Sequence, residues 1–160
     1  MRLAAASIAA LLMLSACGDG GDTAAPEQAA APTPAPVSDA EKQARLASLP
    51  APYNTADLAN GQRKFAMCRS CHTLPEGGSN MTGPNLHELF GRKAGHEGEY
   101  KYSEALKASA ITWDAASLDR WIENPRAMVP GTKMAFAGIK DPKDRIDLIG
   151  YLMAEAGADD

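Results

Sequence analysis

The alternation of apolar and polar residues predicts about four helices in the C-terminal two thirds of the chain. The best defined of them follows Asp141, a suitable N-cap, with Pro142 at the first helical position and Asp144 in the first turn. Gly157 would end this helix. Its apolar face consists of Ile146, Ile149 and Met153.

Another helix is predicted over residues 55–68, after Asn54 or Thr55 as the N-cap. Its residues at helical spacing are Leu58, Gly61 and Phe65. Two shorter helices lie between these: residues 103–110, capped by Ser103, and residues 114–123. Asn124-Pro125 would stop the latter, because proline disfavours the helical conformation in the residue before it.

A Cys-x-x-Cys-His pentapeptide, with Cys68, Cys71 and His72, follows the predicted helix over residues 55–68. This spacing is typical of covalently attached haem, because two such thiols can bond to the two vinyl groups of one porphyrin. The adjacent imidazole, in its neutral form, would be the proximal ligand of the iron. A zinc ribbon would need a second Cys/His pair, and Cys17 is the only other cysteine. A thioredoxin-like thiol pair would need a preceding strand, which the pattern does not predict.

Residues 73–102 hold too many glycines and prolines for any long element. A loop of this length argues against a compact domain unless something else supplies the core, and a large apolar cofactor would do so. Strand signals are nearly absent. The predicted fold class is therefore all-α, with about four helices and long loops wrapped around one haem.

A second iron ligand would decide the function, because a haem with one protein ligand is open to react, whereas a haem with two is usually an electron carrier. The candidates are His87, His96 and the methionines that follow His72. Met134 lies in a turn-rich segment from which a side chain can point inward. Met153 is better explained as core filling on its helix.

Seven motifs, in order, resemble those of class I c-type cytochromes of the mitochondrial cytochrome c and bacterial cytochrome c2 type. They lie within about residues 55–155 and are residues 68–73, 82–87, 89–92, 111–113, 123–125, 130–134 and 147–152. The resemblance implies the class I cytochrome c fold and one-electron transfer without enzymatic activity. It also implies that Met134 is the distal ligand, opposite His72, through its sulfur.

The resemblance further assigns roles around the haem. The Pro84 carbonyl would accept a hydrogen bond from His72 Nδ1, and the haem propionates would be held by Arg92, Tyr102, Trp113 and Thr132. His87 would bond loop backbone, and His96 would be a surface residue. The helix containing Gly61 and Phe65 would cross the C-terminal helix at Leu148 and Tyr151.

The chain departs from the family pattern in three places. Trp121 stands where a tyrosine bonds the ligating sulfur, so its indole N–H either substitutes for that bond or leaves it missing. Leu106 replaces a polar residue near the haem, which would make the pocket drier. The lysine-rich docking face is depleted, so strong electrostatic steering toward an acidic partner is not expected.

The first 52 residues indicate an export signal and a tether. Residues 1–17 combine Arg2, a short apolar stretch and a Leu-Ser-Ala-Cys sequence that resembles a bacterial lipobox, which would make Cys17 the lipidated N-terminus. An ordinary secretory signal with an incidental Cys17 is the alternative. Residues 18–52 are rich in proline and alanine and are predicted to be flexible, with a reach of about 100 Å. Ser38 and Glu41 form a capping-box pattern, but disorder is favoured there.

The remaining residues, 53–160, form the predicted haem domain. The formal net charge of −4 does not suggest a nucleic-acid binder. The sequence therefore predicts a monomeric, lipid-anchored cytochrome on the periplasmic side of a bacterial membrane. The family resemblance implies a quinol-oxidising cytochrome complex as electron donor and a terminal oxidase, peroxidase or photosynthetic reaction centre as acceptor. Two alternatives are a haem subunit of a dehydrogenase or oxidase complex, and a haem-based peroxidase or gas sensor in which Met134 is displaced.

Overall fold

The computed structural model describes residues 37–156, so Cys17, most of the predicted tether and Gly157 lie outside the described residues. Within this range the chain has helices and no strand, apart from one isolated bridge between Lys93 and Thr112. The helices are α1 (Asp39–Ser48), α2 (Leu58–Phe65), α3 (Glu104–Lys107), α4 (Ala115–Glu123), α5 (Pro125–Met128) and α6 (Pro142–Ala156). The predicted all-α class is confirmed. None of the described helices is both long enough and apolar enough to cross a bilayer.

Helices α2 and α6 cross in close contact. A Cβ atom on Gly61 would lie 2.2 Å from the carbonyl oxygen of Asp147 and 2.5 Å from Cβ of Tyr151, so only glycine permits this approach. The rings of Phe65 and Tyr151 pack beside the crossing with centroids 5.9 Å apart. Leu148, 1% exposed, lies in the same core cluster. The crossing is therefore the one that the resemblance implied.

A buried carboxylate ties the start of α2 to α6. Asp147 accepts hydrogen bonds from the backbone N–H of Asp57 at 2.8 Å, from the Asn60 amide at 2.9 Å and from Lys143 Nζ at 2.6 Å. Burial alone would raise the pKa of Asp147, but these hydrogen bonds outweigh it and lower the pKa. The carboxylate is thus held in its charged form.

The predicted start of α2 was wrong. Its N-cap is Asp57, whose side chain accepts the N–H of Asn60 at 3.0 Å, and residues 53–55 form a 3-10 turn instead. The helix also ends at Phe65, before Cys68, and turns follow it. Asp57 is favoured over the predicted caps because its side chain caps the helix while its own backbone N–H donates to Asp147.

Helix α1 corrects the expected disorder around Ser38. The capping box is formed in both directions, and α1 packs on α6 through a buried Leu46. Lys42 Nζ lies 2.6 Å from the Glu155 carboxylate, and Arg45 Nη1 donates to the Ala154 carbonyl at 3.1 Å. These contacts with a segment more than one hundred residues away supply the stability that the local composition lacks.

The other helices lie where the sequence pattern predicts them, but there is one helix more than predicted. α3 begins after Ser103 and is shorter than predicted, while α4 begins after Asp114 and ends at Glu123. Asn124 and Pro125 do stop α4, but they also start α5, which was not predicted, as its N-cap and first residue. α6 begins at Pro142 as predicted.

The chain between α2 and α3 contains no helix, as predicted from its glycines and prolines. It is held by scattered backbone hydrogen bonds. Gly91 N–H donates to the Trp113 carbonyl, and Trp113 N–H donates to the Arg92 carbonyl, both at 2.8 Å. Leu86 N–H donates to the backbone carbonyl of Thr73, also at 2.8 Å. This segment is called the loop half below and comprises residues 66–103.

Candidate haem site

The loop half, with α2, α3, α4, α6 and the segment after α5, encloses a cavity of about 320 Å³. Its walls are largely apolar and include Phe65, Leu86, Leu89, Leu106, Trp113, Leu118, Trp121, Ile122, Phe136, Leu148 and Leu152. Its edge reaches the surface at six exposed residues, namely Met67, Ser70, Thr82, His96, Lys133 and Ala135. The cavity is therefore a largely apolar cleft that opens to the surface at these six residues, which are called the cleft edge below.

Both thiols of the pentapeptide line this cleft. Cys71 N–H and His72 N–H each donate to the Cys68 carbonyl at 2.9 Å, which folds the motif into one tight turn. Neither cysteine forms a disulfide. Burial, with a smaller contribution from Cys71, raises the pKa of Cys68 to about 11, so its thiol is protonated at neutral pH.

His72 is oriented by the two residues that face its ring. Its Nδ1 lies 2.7 Å from the Pro84 carbonyl oxygen, which accepts a hydrogen bond and leaves Nε2 free to bind a metal. A Cβ atom on Gly83 would lie 2.3 Å from His72 Cε1, so the backbone supports the flat face of the ring. Burial lowers the pKa of His72, although the Pro84 hydrogen bond partly offsets this. The imidazole is thus neutral, the form that ligates iron.

Met134 lines the same cleft and is half-buried. Its N–H donates to Thr132 Oγ1 at 3.2 Å, so Thr132, which also lines the cleft, shapes the local turn. Lys133 Nζ donates to the carbonyls of Lys101 and Tyr102 at 2.9 and 3.3 Å. These bonds fasten the methionine segment to the end of the loop half.

Tyr102, Trp113 and Trp121 also line the cleft. The two indole rings lie with centroids 5.4 Å apart. Burial raises the pKa of Tyr102 to about 12. The sequence analysis missed Tyr100, which lines the cleft, donates to the Thr82 carbonyl and stacks edge-on against Tyr102 with centroids 4.7 Å apart. Its place two residues before Tyr102 was the available signal.

Arg92 is the one predicted site residue that does not line the cleft. Its guanidinium donates to the Glu88 carboxylate and lies 3.0 Å from His96 Nε2. His96 is exposed, as expected of a surface residue, yet it also forms part of the cleft edge. The ring of His87 lies 3.8 Å from Glu88 and not in the cleft, so its position gives no support to ligation by His87.

These observations fit a covalently bound haem. An apolar cleft can accept a large flat ring, two free thiols and a neutral imidazole converge on one wall of it, and a thioether supplies a second soft donor. The residues that would hold the group are Cys68 and Cys71 through thioether bonds and His72 through Nε2. The arrangement suits a c-type cytochrome.

Comparison with known proteins also indicates a c-type cytochrome. The sequence profile of the family described as Cytochrome c matches residues 58–155. The chain is 42% identical to cytochrome c2 of Rhodomicrobium vannielii over 105 residues, covering 66% of this chain and 84% of the relative, and 51% identical to a cytochrome c of Arabidopsis thaliana over 100 residues, covering 62% and 89%. A solved structure, cytochrome cH from Methylobacterium extorquens, is 44% identical with a TM-score of 0.59, covering 62% of this chain and all of that one.

The chain therefore belongs to the class I cytochrome c family. It holds one haem c, attached through Cys68 and Cys71, and is an electron carrier and not an enzyme. The matched segment begins at residue 58, so α1 lies before the part of the chain that defines the family.

Proposed function

We propose that His72 and Met134 are the two axial ligands of the iron and that the protein carries single electrons between membrane-bound redox complexes. The observation that supports this most is that both side chains line one apolar cleft. When bound, haem c supplies an iron that alternates between the ferric and ferrous states. Thioether ligation favours reduced iron and raises its potential.

The surrounding residues would contribute orientation and dryness. The Pro84 hydrogen bond holds His72 in one tautomer and one orientation, and Gly83 keeps the ring from tilting. Leu106, 8% exposed, and the two tryptophans would exclude water from the iron. A ligand set that is fixed in both oxidation states leaves little to reorganise when an electron arrives.

The ligand assignment is tested by visible and near-infrared absorption of the oxidised, haem-loaded protein. Wild type should show a sulfur-to-iron charge-transfer band that Met134→Ala lacks. Met153→Leu is the matched control, because Met153 is buried in α6 but does not line the cleft. An unchanged spectrum in Met134→Ala would exclude this ligand. Carbon monoxide binding to reduced wild type would instead support the peroxidase or gas-sensor alternative.

The six exposed residues at the cleft edge support electron exchange at this surface, because a partner can approach the cofactor most closely there. We propose a quinol-oxidising cytochrome complex as donor and a terminal oxidase, peroxidase or reaction centre as acceptor, with the carrier acting as a monomer. A permanent subunit of a dehydrogenase or oxidase is the second possibility. Purification from detergent extracts distinguishes them: the carrier should elute alone, and a subunit in stoichiometric complex.

For location, we propose that lipid on Cys17 keeps the protein on the periplasmic side of a bacterial membrane. The support is the Leu-Ser-Ala-Cys sequence after a short apolar stretch. Cys17→Ser should move the haem protein from the membrane to the soluble fraction. Retention of this variant in the membrane would indicate an uncleaved signal or a tightly bound partner.

A further inference from the structure

Four side chains form a connected group beside the cleft edge, called the rim cluster here: His87, Glu88, Arg92 and His96. The Glu88 carboxylate accepts from Arg92 Nη2 and lies 3.8 Å from His87 Nε2. Arg92 Nη1 lies 3.0 Å from His96 Nε2, and His96 forms part of the cleft edge. A continuous chain of contacts therefore joins Glu88 to the haem site.

The tautomer of His96 follows from its two neighbours. Its Nδ1 lies 3.1 Å from the Lys93 carbonyl oxygen, which can only accept, so Nδ1 carries the hydrogen. Its Nε2 faces the Arg92 guanidinium, which can only donate, so Nε2 accepts. His96 thus holds one side of the guanidinium while Glu88 holds the other. Both terminal nitrogens of Arg92 thus contact residues of the rim cluster.

Glu88 has an unusual backbone. Its φ of +49° lies in the left-handed region, and within residues 37–156 Ala110 is the only other non-glycine residue at positive φ. Its N–H donates to the carbonyl of Ala156 in α6 at 3.1 Å, a bond that glycine could make equally well without a β-carbon. A strained residue at a functional site suggests that its side chain has a role.

We propose that Glu88 is a positioning residue that holds the Arg92 guanidinium in the rim cluster, where a carboxylate offsets its positive charge, and so lowers the reduction potential of the haem. A nearby positive charge stabilises the reduced, less positive iron, whereas the same charge paired with a carboxylate does so much less. The inference rests on the haem in this cleft. It extends the role that the family resemblance gave to Arg92 by naming what controls that residue.

The experiment measures the midpoint potential of the haem-loaded full chain by spectroelectrochemistry in wild type, Glu88→Gln and Glu88→Gly. Both variants should raise the reduction equilibrium constant about two- to threefold, which at about 59 mV per tenfold is about 18–28 mV. The effect is modest because the Glu88 side chain is 45% exposed and the pair is partly screened by solvent. Glu88→Gln keeps the β-carbon and the strain, while Glu88→Gly removes both. A shift in Glu88→Gly alone, or in neither variant, overturns the proposal.

A double-mutant cycle tests whether Glu88 acts through Arg92. In an Arg92→Gln background, Glu88→Gln should shift the potential by less than half of its effect in wild type. A full shift in that background would mean that Glu88 acts as an isolated charge, and the positioning role would be wrong. Glu104→Gln is the control, because the Glu104 carboxylate pairs with Lys107 at 2.6 Å but does not line the cleft. The midpoint potential of this variant should equal that of wild type. An equal shift in this control also overturns the proposal. The charge-transfer band, recorded for every variant, shows independently of the potential whether the haem is still bound and ligated by methionine.

Discussion

The helix crossing and the loop half use opposite means to become ordered. At the crossing, α2 and α6 approach so closely that Gly61 lies against the backbone of Asp147. The buried Asp147 carboxylate also accepts a hydrogen bond from the backbone N–H of Asp57, at the start of α2. In the loop half, the chain runs without helix and spreads its apolar side chains around a cavity of about 320 Å³. One region builds its core from its own chain, and we expect the other to need the haem to fill the space between its apolar side chains.

The largest expected effect comes from removing the covalent link, in Cys68→Ala/Cys71→Ala. A ligand present at a thousand times its dissociation constant stabilises a fold by about 4 kcal/mol. We expect the free energy of unfolding to fall by at least about this amount when the haem is no longer attached. Hydrogen exchange should show the loop half unprotected while the amides of α2 and α6 keep residual protection. Ser70→Ala, between the two cysteines, is the control and should behave as wild type. Equal loss of protection in both regions would contradict the comparison.

Next in size is Gly61→Val, which attacks the crossing itself. Its β-carbon would overlap the Asp147 carbonyl, 2.2 Å away, and the helices would have to separate. We expect a loss of about 3 kcal/mol in the free energy of unfolding, measured by denaturant titration. Gly98→Ala is the matched control, because nothing lies within 4 Å of its added carbon, and it should change stability by less than about 0.5 kcal/mol. Similar losses in the two variants would show that the close approach is unimportant.

Leu46→Ala asks whether α1 belongs to the helical region. Leu46 is 7% exposed, and its Cδ1 would lie 3.5 Å from a Cβ atom on Gly150, so truncation should cost about 2 kcal/mol. Gln43→Ala, on the exposed side of α1, should be nearly neutral. If both variants unfold at the same denaturant concentration as wild type, α1 is not coupled to the rest of the domain.

The smallest expected effect is the acid dependence of Asp147. Its folded-state pKa is lowered, so its contribution is present above the unfolded value of about 3.9 and is lost as pH falls through the folded value. Asp147→Asn should lower the free energy of unfolding by about 1 kcal/mol at pH 7, and this difference from wild type should shrink as the pH falls below about 4. Unfolding curves at several pH values measure this. An unaltered pH slope would mean that the carboxylate is not held by Lys143 and Asn60.

The sequence was most informative where a helix is defined by its own first turn. Asp141 and Pro142 identify the start of α6, and Asp114 the start of α4, because capping and proline preferences act within four residues. The haem attachment site was equally local. Cys68, Cys71 and His72 are adjacent in sequence, so their convergence needs no knowledge of the fold.

The remainder depends on contacts that no local pattern reveals. α1 is ordered by α6, and Asp57 replaces Asn54 and Thr55 as the cap because Asp147 binds its N–H. Arg92 does not line the cleft, and its guanidinium instead contacts Glu88, a residue with positive φ. Family resemblance gave Arg92 a role, but it could not show which neighbour competes for it.

Helix α1 would limit how far the haem domain could travel from the lipid anchor proposed at Cys17. If Cys17 is the anchored residue, only about 20 residues separate it from Ser38, and a polyproline II segment of that length would span about 60 Å, against the 100 Å expected for the full predicted tether. The volume that the cleft edge can search scales with the cube of this length and falls about fivefold. Since α1 packs on the side of α6 that carries Gly150 and Ala154, whereas Leu148 and Leu152 line the cleft, α1 leaves the cleft edge uncovered.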